Sequence, residues 1–551
     1  MVKDVFTVIF GGEAGQGVKK AGSVASQIFI DKGLHVFQMD DYMSLIRGGH
    51  NFSVVSTSSR WLSSHYMKAE LIVNFDQRSY DTHKNHCSEK GIQVFNSNKT
   101  NNVSGIGIPL TSEAKEYKFK NLIIGVGGVA VLSAAIGLQK EEMEIIIKRE
   151  YPSGIKDNLS YATKIYDIAF EELGNRFSIG EGDKRRPIIS GNIAIGMGAI
   201  SSGLNAYYGY PMTPASSLLH FLASQAKNFN LAVVHPESEL AVINMAIGSV
   251  FTGARTMVGS SGGGIALMSE GISLAGMAEV PILCLYSMRA GPATGVPTYT
   301  EQADLNFALS IGHGEFVRIV ASPSTITEAY YLTSEMLDLV WKYQTPGILL
   351  TEKHLSESEM TVEIKPQNST WTEHRSHQGN SYKRYKITDD GISPLLFPPS
   401  EELIKWNSYE HDELGITTEK AEIIKEMHEK RKRKESSLKE YLRNLNTVNI
   451  YGNSGPLIYT YGSTTMSVLE ALKCGEIEAT VVQPIYLQPF PKWELENYRG
   501  KSAITVEQSL DGQFSTLLKN KLEFPEISLI NKYDGRPFDP IELSEKIKEV
   551  L

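Results

Sequence analysis

The sequence predicts a multidomain α/β protein, and three observations support that prediction. Apolar strand-like runs alternate with helical patterns in each part of the chain, an order that favours parallel sheets covered by helices. The 551 residues correspond to three or four domains of about 150 residues each. Hydrophobic residues make up 41% of the chain and charged residues 21%, which supplies enough apolar side chains for buried cores.

Residues 1–178 begin with an apolar strand over Val5–Phe10, a glycine turn GGEAGQG over Gly11–Gly17, a helical pattern and a strand near Leu34–Gln38. A glycine-rich turn before a helix can bind anions. The glycine spacing here is reversed relative to the dinucleotide-binding motif, which favours a structural turn over a nucleotide site. The apolar run Leu122–Leu138 approaches the length of a membrane span. Because it is rich in glycine and lacks aromatic or basic anchors, we expect a buried helix.

The rest of the chain divides into three further segments. Residues 188–345 predict a second α/β domain, rich in glycine, alanine and serine. We expect residues 346–448 to form connecting loops followed by a charged helix within Ile416–Leu445. We interpret the basic stretch Lys430–Lys434 as a solvated helix face rather than a nucleic-acid site. Residues 449–551 predict a third, smaller α/β domain.

Charge and cysteine content limit the possible functions. The net charge of −9 argues against nucleic acid as the main partner, since that binding needs Lys and Arg to meet phosphates. Cys87, Cys284 and Cys474 are far apart in sequence and cannot form a disulfide framework, a zinc site or an iron–sulfur site within this chain. The N-terminus has no secretory signal pattern. We therefore expect a cytoplasmic protein without a metal site of its own and without a membrane partner.

Candidate functional residues concentrate in the second domain. YPMTP presents Thr213 between two prolines at a strand end, and Glu239 heads an apolar helix. Arg289 follows the strand PILCLYSM and precedes GPATGVPT. Ligands of open α/β sheets bind outside the carboxyl ends of the strands, so these side chains could share a crevice suited to a small carboxylate or keto acid. Structural roles as a helix cap, a helix-start charge and a surface ion pair remain alternatives.

The order of several motifs carries a family resemblance over nearly the whole chain. These motifs are GGEAGQG, SLIRGGHNFSVV at Ser44–Val55, GNIAIGMGA, YPMTP, the ESE segment, GPATGVPT, YKITDDGISP, YGST, IYLQPFP and VEQSLDGQ. Together they resemble the fused γ/α subunit of the 2-oxoacid:ferredoxin oxidoreductases. The resemblance implies a γ-type α/β domain, a thiamine-enzyme pyrimidine-binding α/β domain and a C-terminal transketolase-C-like α/β domain. It also implies CoA-dependent oxidative decarboxylation of 2-oxoacids to acyl-CoA and CO2, with electrons passed to ferredoxin.

The resemblance implies a role for one glutamate in particular. Glu239 matches the catalytic acid that hydrogen-bonds the aminopyrimidine ring of thiamine diphosphate. Its register rests on Gly248, nine positions later. Glu237 stands two residues before it and remains the alternative. Tyr210 and Pro211 would border the same cofactor.

Other residues match the family's substrate contacts. Thr213 and Arg289 correspond to residues that bind the 2-oxoacid, and Thr294 and Thr298 would line the same pocket. Ala293 stands where the family often has serine, so a possible hydrogen bond to substrate is lost. For that reason the resemblance does not identify the 2-oxoacid.

Some expected parts of a thiamine enzyme are missing from this sequence. It has no G-D-G segment with a following Asn to hold Mg²⁺ and the diphosphate, and no cysteines for a cluster. The resemblance implies that a β subunit supplies Mg²⁺, the diphosphate site and an iron–sulfur cluster. Two alternatives remain: a non-catalytic regulatory or binding subunit with the same fold, and a nicotinamide-dependent dehydrogenase built on GGEAGQG.

Overall fold

The computed structural model describes residues 4–44, 48–365, 373–379, 381–524 and 526–551. Positions 45–47 of the motif at Ser44–Val55 lie outside the described residues. The strands of the described residues form three sheets of eight, seven and five strands. Helices accompany each sheet, and this arrangement confirms the predicted multidomain α/β fold.

The first part of the chain alternates strands and helices. Its elements are β1 (Phe6–Ala14), α1 (Val18–Asp31), β2 (His35–Asp41), β3 (Gly48–Ser58), β4 (Ala69–Asn74), α2 (Gln77–His83), β5 (Cys87–Asn96), β6 (Ile106–Ile108), α3 (Leu110–Ala114), α4 (Ile124–Ala135), α5 (Lys140–Glu150) and α6 (Ile155–Leu173).

The middle part contains the longest succession of strand–helix units. Its elements are β7 (Ile188–Ser190), α7 (Gly191–Ser201), β8 (Ala206–Tyr208), α8 (Ser216–Phe229), β9 (Ala232–Val234), α9 (Glu239–Phe251), β10 (Thr256–Ser260), α10 (Gly262–Leu267), α11 (Ser269–Met277), β11 (Ile282–Met288), α12 (Leu305–Ser310), β12 (Ile319–Ala321), α13 (Ile326–Tyr343), β13 (Gly347–Glu352), α14 (Lys353–Glu357) and β14 (Glu359–Thr361).

The last part begins with a long charged helix and ends in a small α/β unit. Its elements are α15 (Ala421–Leu442), β15 (Val448–Tyr451), β16 (Leu457–Tyr459), α16 (Thr464–Gly475), β17 (Thr480–Pro484), β18 (Tyr486–Gln488), α17 (Lys492–Leu495), β19 (Ala503–Glu507), α18 (Gln513–Leu522), β20 (Ile527–Asn531) and α19 (Pro540–Val550).

The sheets exchange strands between these parts of the chain. The first sheet has the order β6-β5-β4-β1-β3-β2-β14-β7, so two strands from the middle part extend it. The second has the order β18-β12-β13-β11-β10-β8-β9, with only the C-terminal strand β18 antiparallel to its neighbour. The third has the order β15-β17-β16-β19-β20. Because most strands of the second sheet are parallel, their carboxyl ends lie at one edge.

The glycine turn near the N-terminus is shorter than the sequence predicts. Strand β1 continues through Gly11 and Gly12 to Ala14, because both glycines pair with β3. The turn is therefore confined to the residues around Gly15–Gly17. Gly17 has a φ of 76°, and a Cβ there would lie 2.8 Å from the Leu122 carbonyl oxygen, so a side chain does not fit.

The apolar run before residue 138 forms the buried helix α4, as predicted. Every residue from Ile124 to Ala135 is buried. Across the part of the chain that the structure describes, no helix has the length and apolarity needed to cross a membrane.

The interpretation of Lys430–Lys434 as a solvated helix face is wrong for Lys430 and Lys434, although Lys432 between them is exposed. Lys430 is fully buried and Lys434 is 2% exposed, and both ammonium groups contact the buried carboxylate of Glu279. The Lys430 Nζ–Glu279 Oε1 distance is 2.6 Å. The interpretation failed because the sequence around these lysines is highly charged, and the acid that pairs with them lies 151 positions from Lys430 and 155 from Lys434.

Candidate active site

Glu239 occupies the first position of α9 and is buried, with 3% of its surface exposed. The hydroxyl of Ser238 caps this helix by accepting a hydrogen bond from the Ala241 amide over 3.4 Å. Strand β10 ends at Ser260, whose hydroxyl donates to Glu239 Oε1 over 3.3 Å. The carboxylate therefore lies at the carboxyl edge of the second sheet. Glu237, the alternative acid, is exposed.

A glycine of α10 leaves space for this carboxylate. A Cβ at Gly264 would lie 2.4 Å from Glu239 Oε1 and 2.0 Å from the Ser260 hydroxyl oxygen. Both distances are too short for a carbon atom, so a side chain at position 264 would displace one or both groups. The position of the Glu239 carboxylate thus depends on a glycine in the segment GSSGGG.

The YPMTP segment lies beside the same serine. The Ser260 hydroxyl oxygen is 3.8 Å from the sulfur of Met212. The next residues are held by Asn192 of the GNIAIGMGA motif, whose fully buried side-chain amide donates to the Pro214 carbonyl oxygen over 2.8 Å. The loop that carries Thr213 thus contacts Ser260 on one side and Asn192 on the other.

Arg289 emerges directly after β11, as its position behind PILCLYSM predicts. Its Nη1 donates to the Thr213 backbone carbonyl oxygen over 2.9 Å. Burial lowers the pKa of Arg289, and the nearby carboxylate of Asp304 opposes this shift. A guanidinium keeps its proton at physiological pH despite such a shift. The structure therefore brings Thr213 and Arg289 into contact, with a positive charge at the strand ends.

The remaining candidate residues differ in exposure. Thr298 is buried, with 4% exposed, whereas Thr294 is exposed in the turn closed by the bridge between Ala290 and Val296. Tyr210 is 38% exposed and its ring meets the His235 ring edge-on, with centroids 5.8 Å apart. Pro211 is exposed. Of these four residues only Thr298 is buried, as Glu239 is.

Comparison with known proteins identifies the family. The family described as pyruvate flavodoxin/ferredoxin oxidoreductase, thiamine diphosphate-binding, matches residues 197–430, and pyruvate ferredoxin/flavodoxin oxidoreductase matches residues 7–168. The 2-oxoacid:ferredoxin oxidoreductase subunit alpha of Sulfolobus sp is 30% identical, over 98% of this chain and 96% of the relative. The chain belongs to the 2-oxoacid:ferredoxin oxidoreductase α-subunit family. The same subunit from Saccharolobus solfataricus is 29% identical over 98% of this chain and 97% of that relative.

A solved structure agrees with this assignment. The 2-oxoglutarate:ferredoxin oxidoreductase from Magnetococcus marinus, with 2-oxoglutarate, coenzyme A and succinyl-CoA bound, matches with a TM-score of 0.90 and 26% identity. The match covers 99% of this chain and 99% of that chain. Together these comparisons confirm the predicted family and enzyme class, a thiamine-diphosphate-dependent oxidoreductase, and support a catalytic role for this α subunit.

Two residues beside the candidate side chains escaped the sequence analysis, namely Ser260 and Asp304. Ser260 has a detectable signal, because it ends a strand immediately before a glycine run. Asp304 has none, since it follows an irregular loop and no local pattern places it near Arg289. Burial raises the pKa of Asp304, and the Tyr286 hydroxyl and the Arg289 charge oppose that rise.

The described residues contain no group of three or more His, Cys, Asp or Glu side chains arranged to hold a metal ion.

Proposed function

We propose that Glu239, Thr213 and Arg289 form this subunit's share of a thiamine-dependent active site that a β subunit completes. The observation that carries the proposal is that a buried carboxylate and a guanidinium lie at one sheet edge. They are connected through the contacts of Ser260 with Met212 and of Arg289 with Thr213. In parallel α/β sheets this edge is the usual ligand-binding position.

The residues around Glu239 fit the aminopyrimidine end of thiamine diphosphate. A buried carboxylate held by one hydroxyl can accept a hydrogen bond from a protonated ring nitrogen and stabilise that protonation state. Burial at the start of α9 favours Glu239 over the exposed Glu237 for this role. We assign Tyr210 and Pro211 to the rim of the cofactor site. When bound, thiamine diphosphate supplies the electron sink that allows a 2-oxoacid to lose CO2.

Arg289 supplies the positive charge that a 2-oxoacid requires. A guanidinium binds carboxylates through paired N–H donors, and its attachment to the Thr213 carbonyl fixes its orientation. We assign Thr213, Thr294 and Thr298 to the same substrate pocket. The buried Thr298 would contact the inner end of the substrate and the exposed Thr294 its outer end.

A β subunit is the partner that this site requires. Leu240 and Met245 on α9, which begins at Glu239, are 51% and 44% exposed, and Leu267 on the neighbouring α10 is 49% exposed. Such a set of exposed apolar side chains beside a catalytic acid favours a protein partner. We propose that the partner provides Mg²⁺, the diphosphate site and the iron–sulfur cluster, and that electrons leave to ferredoxin. Coenzyme A is the proposed second substrate.

Two further parts of the proposal concern organisation. We propose functional domains at residues 1–178, 188–345 and 449–551, with 346–448 as the connection. Strands β7 and β18 pair outside their own domains, and the connection contributes β13 to the second sheet and β14 to the first. Three free cysteines support a reducing, cytoplasmic location.

Purification from the native host under conditions that keep complexes intact tests the proposal. We expect a smaller, brown, cluster-bearing chain to co-purify, and viologen dye reduction to require both a 2-oxoacid and coenzyme A. A panel of 2-oxoacids then identifies the preferred substrate. If the chain is isolated alone, colourless and inactive with every acid, the catalytic proposal fails and a regulatory subunit with this fold becomes the better explanation.

A further inference from the structure

The loop that carries Arg289 makes unusual contacts with the C-terminal part of the chain. We define the Arg289 loop as residues 289–302, the irregular segment between β11 and α12. Apart from one bridge between Ala290 and Val296, it has no sheet or helix hydrogen bonds to hold it. Its position therefore depends on side-chain and backbone contacts with other parts of the molecule.

Gln302 anchors the end of this loop. Its side chain is fully buried, and its Nε2 donates to the Tyr461 carbonyl oxygen over 3.0 Å. Its Oε1 accepts from the Thr464 hydroxyl over 2.8 Å and from the Gln508 amide over 2.9 Å. Its own backbone amide donates to the Gln508 carbonyl oxygen over 2.7 Å. All of these partners belong to the C-terminal part, in the YGST and VEQSLDGQ motifs.

Arg536 holds the middle of the loop. Its Nη2 donates to the Tyr299 hydroxyl over 2.6 Å, and the guanidinium carbon lies 3.7 Å from the centre of the Tyr299 ring. The other terminal nitrogen pairs with Asp41 of β2, so one side chain joins three parts of the chain. The Thr300 amide also donates to the Gly535 carbonyl oxygen over 3.0 Å.

Tyr299 connects Arg536 to the backbone beside Arg289. Its carbonyl oxygen accepts from the Ala290 amide over 3.4 Å, directly beside Arg289. We propose that Arg536 and Gln302 are positioning residues that fix the Arg289 loop and so set the affinity for the 2-oxoacid. The inference rests on the proposed function, because it assigns substrate binding to Arg289. A misplaced binding group weakens an interaction even when it remains in the site.

The test uses the complex with its partner subunit and compares Arg536→Gln, Arg536→Lys and the control Arg499→Gln. Arg499 lies in the same part of the chain and pairs with the exposed Glu523 at a distance of 2.6 Å. We expect Arg536→Gln to raise the KM for the 2-oxoacid about tenfold, or about 1.4 kcal/mol. The KM for coenzyme A and kcat should stay within about twofold of wild type, a change below about 0.5 kcal/mol. Arg536→Lys should give a smaller rise, and the control no change.

A double-mutant cycle separates positioning from a general structural effect. If Arg536 acts through Arg289, then Arg536→Gln should add little to the KM of an Arg289→Lys complex. Gln302→Ala, checked by its thermal unfolding midpoint, should show the same selective rise. An unchanged 2-oxoacid KM, equal rises for both substrates, or full additivity with Arg289→Lys would each overturn the inference. A wild-type complex that oxidises no 2-oxoacid would instead refute the proposed function.

Discussion

The Arg289 guanidinium donates a hydrogen bond from Nη1 to the backbone carbonyl oxygen of Thr213 over 2.9 Å. This contact joins the end of β11 to the loop after β8, two segments separated by 76 positions. It orients a positive charge at the sheet edge where Glu239 is buried. The relation between these residues is the basis of the predictions on substrate binding.

Replacing Arg289 with lysine should weaken binding of the 2-oxoacid. Lysine keeps the positive charge but loses the planar pair of donors that a carboxylate accepts. Loss of one charged hydrogen bond is worth about 1.5–3 kcal/mol, which corresponds to a rise in KM of about 10- to 100-fold. Steady-state kinetics of the complex measures this rise, and an unchanged KM would remove Arg289 from the substrate site.

Replacing Gly264 with alanine should disturb the Glu239 carboxylate without touching it chemically. The new Cβ would lie 2.4 Å from Glu239 Oε1, so the carboxylate must move. We expect affinity for thiamine diphosphate to fall about tenfold, or about 1.4 kcal/mol. Calorimetric titration of the complex with thiamine diphosphate measures this affinity.

Gly180→Ala is the matched control for this experiment. It makes the same chemical change at a position where a Cβ has no neighbour within 4 Å. Equal cofactor affinity in the two variants would show that position 264 does not control the carboxylate.

Replacing Glu279 with glutamine should destabilise the packing of α15 against the segment that carries Glu279. The change leaves Lys430 and Lys434 buried without a counter-charge, and breaking a buried ion pair costs about 3–5 kcal/mol. Glu429→Gln, which removes an exposed pair with Lys425 on the same helix, should cost less than about 1 kcal/mol. Urea unfolding followed by circular dichroism compares the free energies of unfolding of the two variants. Similar losses would contradict the assignment of a stabilising role to the buried Glu279 cluster.

The same cluster predicts a dependence of stability on pH. Burial opposes ionisation of Glu279, but Lys430, Lys434 and Arg384 outweigh it and lower the pKa of its carboxyl group. An unfolded glutamate titrates near about pH 4.3. The contribution of the ionised Glu279 to the stability of the folded protein is therefore complete above that pH. It is lost as the pH falls toward the lower pKa that Glu279 has in the folded state. Below about pH 4.3, wild type should lose stability more steeply than Glu279→Gln, and parallel profiles would exclude this cause.

Local patterns were sufficient for much of the fold and for the strand-end residues. Alternating strands and helices predicted the α/β class, and the position of Arg289 behind an apolar strand predicted where it emerges. Contacts between distant segments had no such signal. The pairing of Glu279 with Lys430 and Lys434, the extension of the first sheet by β7 and β14, and the contact of Arg536 with Tyr299 all depend on tertiary packing. Sequence periodicity reports the burial of apolar faces, and it misses a charged side chain buried by a distant partner.

The most direct test compares Glu239→Gln with Glu237→Gln in the complex with its β subunit, measuring CoA-dependent dye reduction and thiamine diphosphate binding. Glutamine keeps the size of the side chain but lacks the negative charge with which a carboxylate stabilises a protonated ring nitrogen of the cofactor. We expect Glu239→Gln to lower kcat by at least about 10²-fold and to weaken cofactor binding, with Glu237→Gln near wild type. Full activity of Glu239→Gln, or a loss only in Glu237→Gln, would contradict the assignment of Glu239 as the catalytic acid.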